Sequence, residues 1–296
     1  MASASGFLVW QGVLLADLVG AAQIACFLLI ARNKPAGGRK QAEQPKDPYT
    51  QSLIAANSEL ASFNFTISHE IKAPVRAIDG YARIFLEDYG EGLNEEAKSM
   101  IENIRNICGE TIELTGKLLE YTRIAQKQPA CEEVDLKKTI AEIFDTLHAT
   151  GGDADGIRLL FASELPIVLG DPTLLHLALV NILSNAFKFT RGKEAGQITV
   201  GMEKQDGEDV FCIRDNGAGF DMKFSENLFG MFQRMHSADE FEGSGIGLAI
   251  VKKIILLHNG RVWITGEVGR GAAVYFVLPP ERLKKKEKNA AFLEAY

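Results

Sequence analysis

A chain of 296 residues, 46% hydrophobic and 24% charged, has the composition of folded globular protein and a length suited to roughly two domains. Disordered and collagenous classes are excluded, and a net charge of −7 argues against nucleic acid as a partner. The four cysteines, Cys26, Cys108, Cys131 and Cys212, form no CxxC pair and have no histidine at metal-ligand spacing, which excludes a disulfide framework and fits a reducing compartment.

Residues 6–31 are the first predicted element. They carry one charge, Asp17, and two glutamines, Gln11 and Gln23. A membrane-spanning helix needs about 20 mostly apolar residues, so the stretch is long enough. Asp17 near its middle costs about 2.5–3.5 kcal/mol on insertion scales, which the Leu, Ile, Val and Phe content offsets. No Lys or Arg precedes the run, which argues against a cleaved signal peptide. A soluble amphipathic helix is the other reading. Arg32, Lys34, Arg39, Lys40 and Lys46 follow the run, so the chain beyond Arg32 is expected on the cytoplasmic side. That describes a single-pass protein of the cytoplasmic (inner) membrane, anchored through residues 6–31, with almost no chain outside. Residues 32–48, rich in Pro, Gly, Lys and Gln, read as a linker.

Residues 50–127 predict a helical hairpin. Leu60, Phe63, Ile67, Ile71, Pro74, Ile78, Tyr81 and Phe85 fall at steps of three and four, the stripe of a long helix with a coiled-coil-like seam. Two glycines and Asn94 interrupt it, with Asn94 placed to cap the next helix. The stripe resumes at Ala97, Ile101, Ile104, Cys108, Thr111, Leu114, Leu118, Tyr121 and Ala125. A lone antiparallel pair leaves one apolar side open, so a second copy is expected to complete a dimeric four-helix bundle. Pro74 inside the first helix should kink it. His69 lies one residue off the seam, so its imidazole should face solvent; taken alone, it reads as an ordinary surface histidine.

Residues 130–280 predict an α/β sandwich with helices on one sheet face, which makes the whole an α+β chain. A helix is expected over 136–149, strands over 157–162 and 167–169, and a long helix through Phe189 capped by Asp171 with Pro172 in its first turn. Strands over 197–204 and 209–215 flank an Asp206-Gly207 turn. A helix over 247–258 and a hairpin over 261–265 and 273–278 close the domain. Residues 281–296, with Lys284, Lys285, Lys286 and Lys288, read as a solvated basic tail.

Four motifs on this frame point to nucleotide chemistry. Asn181, Asn185 and Lys188 share one helix face; an amide oxygen is a hard ligand for Mg²⁺, and Lys neutralises phosphate. Taken alone, this is equally a solvated polar face. Asp215-Asn-Gly217-Ala-Gly219 at a strand end offers a carboxylate that accepts from the exocyclic amine of adenine and rejects guanine, though turns share the pattern. Gly243-Ser-Gly245-Ile-Gly247 opens a helix and exposes N–H groups to phosphate. Its spacing is neither the dinucleotide-binding nor the Walker fingerprint. Phe229-Gly-Met-Phe232-Gln-Arg234 fits a mobile lid with Arg234 reaching phosphate, or plain core phenylalanines.

In order, SHEIKAP (68–74), NILSNAFKF (181–189), DNGAG (215–219), FGMFQRM (229–235) and GSGIGLAIVKKII (243–255) followed by HNG resemble the sequence boxes of two-component sensor histidine kinases with a phytochrome-like transmitter. The resemblance covers about residues 50–280. It implies that His69 accepts the γ-phosphoryl group of ATP and that Glu70 orients the imidazole and accepts its proton. It assigns Asn181, Asn185, Lys188, Phe189, Asp215, Gly217, Gly219, Arg234, Gly243, Gly245 and Gly247 to nucleotide binding, with Asn185 as the Mg²⁺ ligand. The phosphoryl group would then pass to an aspartate on a separate response regulator. Where members with strong phosphatase activity carry Thr or Asn, this chain has Ala73, which implies a kinase-biased protein. The competing readings are a catalytically inactive histidine-kinase-like scaffold, a membrane adaptor with a vestigial ATP site, and a non-phosphorylating ATPase of the gyrase and chaperone superfamily. The last is disfavoured by the hairpin.

Overall fold

The computed structural model describes residues 48–150, 156–233 and 243–284. The expected membrane span at 6–31, the linker up to residue 47, Arg234 and the tail beyond Lys284 lie outside the described residues. Among those that are described, no helix is long and apolar enough to cross a membrane. The described residues divide into two compact units, the first holding the chain up to Lys127 together with Gly230–Phe232 and Gly243–Ile246, the second the remainder from Gln128 onward.

The first unit is the helical hairpin. Helix α1 spans Pro48–Tyr89 and α2 spans Glu95–Gln126, joined by one 3₁₀ turn at Gly90–Gly92. Asn94 caps α2 as its side-chain type predicts, its Oδ1 accepting from the Ala97 N–H at 2.8 Å, and Glu95 and Glu96 in the first turn complement the helix dipole. Pro74 lies inside α1, and the helix continues on both sides of it. Between the helices, Arg105 Nε donates to Asp79 Oδ1 at 3.0 Å, and the Arg123 guanidinium lies over the Phe65 ring.

The apolar stripe of α1 lies on the open side of the hairpin: Phe63, Ile67, Ile71, Ile78, Tyr81 and Phe85 are exposed, Tyr81 to 75%. The inward face of α1 carries Ser68, Lys72, Val75 and Asp79, all buried or half-buried. The single stripe read for α2 also divides. Cys108 and Tyr121 are buried, whereas Ile104 is exposed together with Met100 and Ile107, which the stripe did not include. Each helix therefore carries an inward face and a separate outward apolar face, and the spacing of an apolar stripe does not say which partner covers it.

The second unit is an α/β sandwich. Strands β1 (Glu132–Asp135), β3 (Ile167–Gly170) and β8 (Leu283–Lys284) form a three-stranded sheet in the order β1-β3-β8. Strands β2 (Arg158–Phe161), β4 (Gln197–Gln205), β5 (Glu208–Asp215), β7 (Gly271–Val277) and β6 (Arg261–Glu267) form a five-stranded sheet in the order β2-β4-β5-β7-β6. Only the β2–β4 pair is parallel within it. Helices α3 (Leu136–Thr150), α4 (Pro172–Thr190) and α5 (Gly247–Leu257) complete the unit.

Alternation decides which sheet face the helices cover. Ile198, Val200, Phe211, Ile213, Val274 and Phe276 point one way along β4, β5 and β7 and join the main core with Leu179, Leu183, Val251 and Ile255 from α4 and α5. The Phe211 and Phe276 rings stack at 4.8 Å there. On the opposite face Trp263 and Tyr275 stack at 5.4 Å, and Arg214 donates to the Tyr275 hydroxyl. The Asp206-Gly207 turn has φ of 50° and 84°, the left-handed geometry of a two-residue hairpin loop. Two strands escape the sequence reading. β1 has only one buried side chain, Val134, and β8 is two residues long, yet Lys284 pairs with Glu133 and Arg282 donates to the Leu169 carbonyl. Leu283 and Lys284 thus belong to a sheet rather than to a tail.

Candidate functional site

Three elements converge on Asp215, the last residue of β5. The carboxylate is 8% exposed, and its Oδ1 accepts from the Gly217 N–H at 2.9 Å and the Ala272 N–H at 3.3 Å. Burial pushes the carboxyl above its ordinary value, against the pull of those two donors and of its own backbone N–H. Neither the Gly217 nor the Ala272 N–H occupies Oδ2.

The glycines around Asp215 are spacers for close backbone approach. A Cβ on Gly217 would stand 2.2 Å from the Phe189 carbonyl oxygen, and Ala218 N–H donates to that same oxygen at 2.9 Å. A Cβ on Gly271 would stand 2.1 Å from the Asp215 carbonyl oxygen. The loop 215–219 thus runs against the end of α4 and the β6–β7 turn, and at Gly217 and Gly219 only a residue without a side chain fits.

Helix α4 presents the amide and lysine set. Asp171 anchors it: Oδ1 accepts from the Leu174 N–H, Oδ2 from the Ala130 N–H, and its own N–H donates to His258 Nε2, each at 3.0 Å. With Nε2 accepting, the His258 proton sits on Nδ1 and points to the Ile254 carbonyl at 2.8 Å. One buried aspartate thereby ties the start of α4 to the end of α5. Asn181 Nδ2 donates back to the Leu177 carbonyl at 2.9 Å, and a Cβ on Gly247 would meet Asn181 Oδ1 at 2.8 Å. The asparagine-bearing helix and the N-terminus of α5 therefore meet at Asn181 and Gly247, as binding a phosphate chain between them requires. Asn185 is half-buried and makes no side-chain hydrogen bond among the described residues, so its amide oxygen is open to a cation. The Lys188 ammonium lies 4.1 Å from the centre of the Phe189 ring. Gly243 and Gly245 have φ of 146° and 69°, conformations that suit glycine.

A set of three or more acidic, His or Cys side chains able to hold a metal is absent among the described residues. The Asn185 amide oxygen is a hard donor of the kind that could join phosphate oxygens around an ion such as Mg²⁺.

On the hairpin, the His69 and Glu70 side chains are 74% and 78% exposed, and Glu70 Oε1 stands 3.9 Å from His69 Nδ1. Ser68, one residue earlier, is 1% exposed, and α1 turns His69 outward, although the seam positions Ile67 and Ile71 that set this expectation are themselves exposed. Sequence reasoning passed over Asn216, Ala272, Gly271 and the Asp171–His258 bond, because each acts through a backbone group or a distant partner.

Comparison with known proteins agrees with this geometry. Residues 59–127 match the His Kinase A (phospho-acceptor) domain, and residues 170–282 match the histidine kinase-, DNA gyrase B-, and HSP90-like ATPase. The chain is similar to Cyanobacterial phytochrome A of Nostoc sp., 32% identical over 80% of this chain and 31% of that protein. It is also similar to the methanogenesis regulatory histidine kinase FilI of Methanothrix harundinacea, 33% identical over 76% of this chain and 25% of that protein. It thus spans about a third or less of the curated relatives compared. Full-length ShkA in complex with AMPPNP superposes with a TM-score of 0.54 at 26% identity, over 76% of this chain and 46% of that one. With a phospho-acceptor hairpin followed by an ATP-binding domain of this type, the chain belongs to the sensor histidine kinases.

Proposed function

We propose that the protein phosphorylates itself on His69 from ATP and passes the phosphoryl group to an aspartate of a response regulator in trans. The observation that carries the reading is the presentation of His69 with Glu70 on the outward side of the hairpin, in a chain whose second unit has an ATP-site frame. Glu70 Oε1 stands 3.9 Å from Nδ1; drawn in to hydrogen-bond distance, it would hold the proton there and leave the Nε2 lone pair for attack. The Nε2–phosphorus bond forms as the bond from the γ-phosphorus to the bridging oxygen breaks, and ADP departs with that electron pair. Asp215 accepts from the adenine amine, Asn181 and Gly247 shape the phosphate passage, and Lys188 offsets phosphate charge. Asn185 would hold a Mg²⁺ ion, which would supply further charge neutralisation at the phosphates. The regulator partner is supported by the solved complex of the histidine kinase ThkA with the response regulator TrrA, whose fold this chain shares at a TM-score of 0.54. Membrane anchorage through residues 6–31, with the catalytic part cytoplasmic, is supported by the length of that run and the Arg and Lys residues after it.

Asp215→Asn tests the nucleotide reading. Asn keeps an oxygen for the Gly217 and Ala272 N–H groups but turns an NH₂ towards the base, so two donors oppose each other. ATP binding should weaken by about 1–3 kcal/mol in calorimetric titration. Folding should respond in the other direction. A carboxyl whose pKa is raised in the folded state contributes stability that is present at low pH and lost as pH rises through that raised value. Removing the charge should therefore leave the nucleotide-free unfolding temperature at pH 7 unchanged or higher. Unchanged ATP affinity would place the base elsewhere.

The exposed stripe on α1 and Met100, Ile104 and Ile107 on α2 support a homodimer, since burying each such side chain against a second copy is worth about 1.5–3 kcal/mol. Residues 48–284 should sediment as a dimer, and Ile78→Asp with Ile104→Asp should shift it to monomer. A wild-type monomer would refute the four-helix bundle.

A further inference from the structure

We propose that Asn216 is the positioning residue that fixes Asp215 for base recognition, by clamping the strand end that carries the carboxylate to the loop after α4. The proposal rests on the assignment of adenine to Asp215.

The last ladder pair between β4 and β5 joins Ile198 to Asp215. Beyond it the chain must turn away to form the 217–219 passage, and regular pairing stops. Asn216 continues the pairing with its own side chain. Oδ1 accepts from the Gln197 N–H at 2.8 Å, and Nδ2 donates to the Ala195 carbonyl at 2.8 Å. The backbone N–H of Asn216 donates to the Gln197 carbonyl at 3.2 Å. One residue thus makes three hydrogen bonds to residues 195–197. The side-chain pair needs a donor and an acceptor on one short planar group. Asp has no donor, Ser and Thr are too short to span both partners, and Gln adds a methylene.

The hydrogen bonds from Gly217 and Ala272 to the Asp215 side chain both end on Oδ1. They hold one oxygen but leave the backbone beneath it to the residues on either side. On the β5 side the ladder holds it; on the other side Asn216 does. Releasing the clamp lets the 215–217 turn shift, and Oδ2 loses its aim at the position of an exocyclic amine. A 6-amino purine gains from a well-aimed acceptor there, and a 6-oxo purine does not. The clamp should therefore govern discrimination between the two bases, a readout that a merely supportive residue would not move.

The experiment is calorimetric titration of the full chain in detergent with non-hydrolysable analogues of ATP and of inosine triphosphate. Wild type, Asn216→Ala, Asn216→Asp and Asp215→Asn are compared, with thermal unfolding recorded for each. Asn216→Ala is expected to lose about tenfold in affinity for the adenine analogue and little for the inosine analogue, so the ratio between them collapses. Asn216→Asp keeps the acceptor half of the clamp and should fall between. An equal loss for both analogues, or no loss for either, overturns the proposal. If Asp215→Asn changes the ratio and Asn216→Ala does not, the clamp alone is wrong. If Asp215→Asn leaves the ratio unchanged, the adenine assignment falls and the proposal with it.

Discussion

Replacing His69 with Gln should abolish autophosphorylation while ATP binding persists. Gln has similar length and an amide, but its nitrogen lone pair is delocalised into the carbonyl and cannot attack phosphorus. Losing the nucleophile of a group transfer commonly costs about 10³-fold or more in rate. The nucleotide frame of Asp215, Asn181 and Gly247 lies on the other compact unit, so its hydrogen bonds do not depend on the imidazole. The measurement is transfer of label from γ-labelled ATP, paired with calorimetry of a non-hydrolysable analogue. Label on the wild type should be lost in acid and kept in alkali, as phosphohistidine requires. Label retained on the variant would move the acceptor elsewhere, and a parallel loss of nucleotide binding would contradict the separation of the two sites.

Gly219→Ala should be the most damaging single methyl in the ATP-binding unit. Gly219 has φ of 64°, a left-handed conformation that costs a non-glycine residue about 1–2 kcal/mol. Its Cβ would stand 1.9 Å from the Glu267 carbonyl oxygen and 2.9 Å from that of Gly271. Neither atom can swing aside as a side chain would. The Glu267 oxygen accepts from the Arg270 N–H within the β6–β7 turn, and the Gly269 N–H donates to the Ala218 carbonyl at 2.6 Å. Relief therefore requires moving the turn against the loop that follows Asp215. A total above about 3 kcal/mol is expected, within the range of severe point mutations. Thermal unfolding should fall by about 6–12 °C for a domain of this size, with loss of nucleotide binding. Gly109→Ala is the control, because a Cβ there meets nothing within 4 Å on α2, and the change should be neutral or slightly stabilising. Equal unfolding temperatures for the two variants would mean the passage is looser than its backbone contacts indicate.

The sequence by itself determined the features governed by neighbours along the chain. The period of three and four gave both hairpin helices, Asn94 and Asp171 marked the starts of α2 and α4, and Asp206-Gly207 marked the β4–β5 turn. The ordered motifs also settled the family, since each is a short run whose chemistry is carried by adjacent residues. Tertiary structure decided what depends on partners far along the chain. Which face of α1 turns inward was decided only by the fold: spacing located the apolar stripe, but the buried face carries Ser68, Lys72, Val75 and Asp79, which no hydrophobic period marks. β1 and β8 escaped notice because strands this short owe their existence to pairing with β3, not to their own pattern. The anchor of α4 joins Asp171 to residues 41 and 87 positions away, and Asn216 acts on a loop 19 to 21 positions back. Hydrogen bonds across such separations leave no local signature, because the donor and acceptor come together only once the intervening chain has packed.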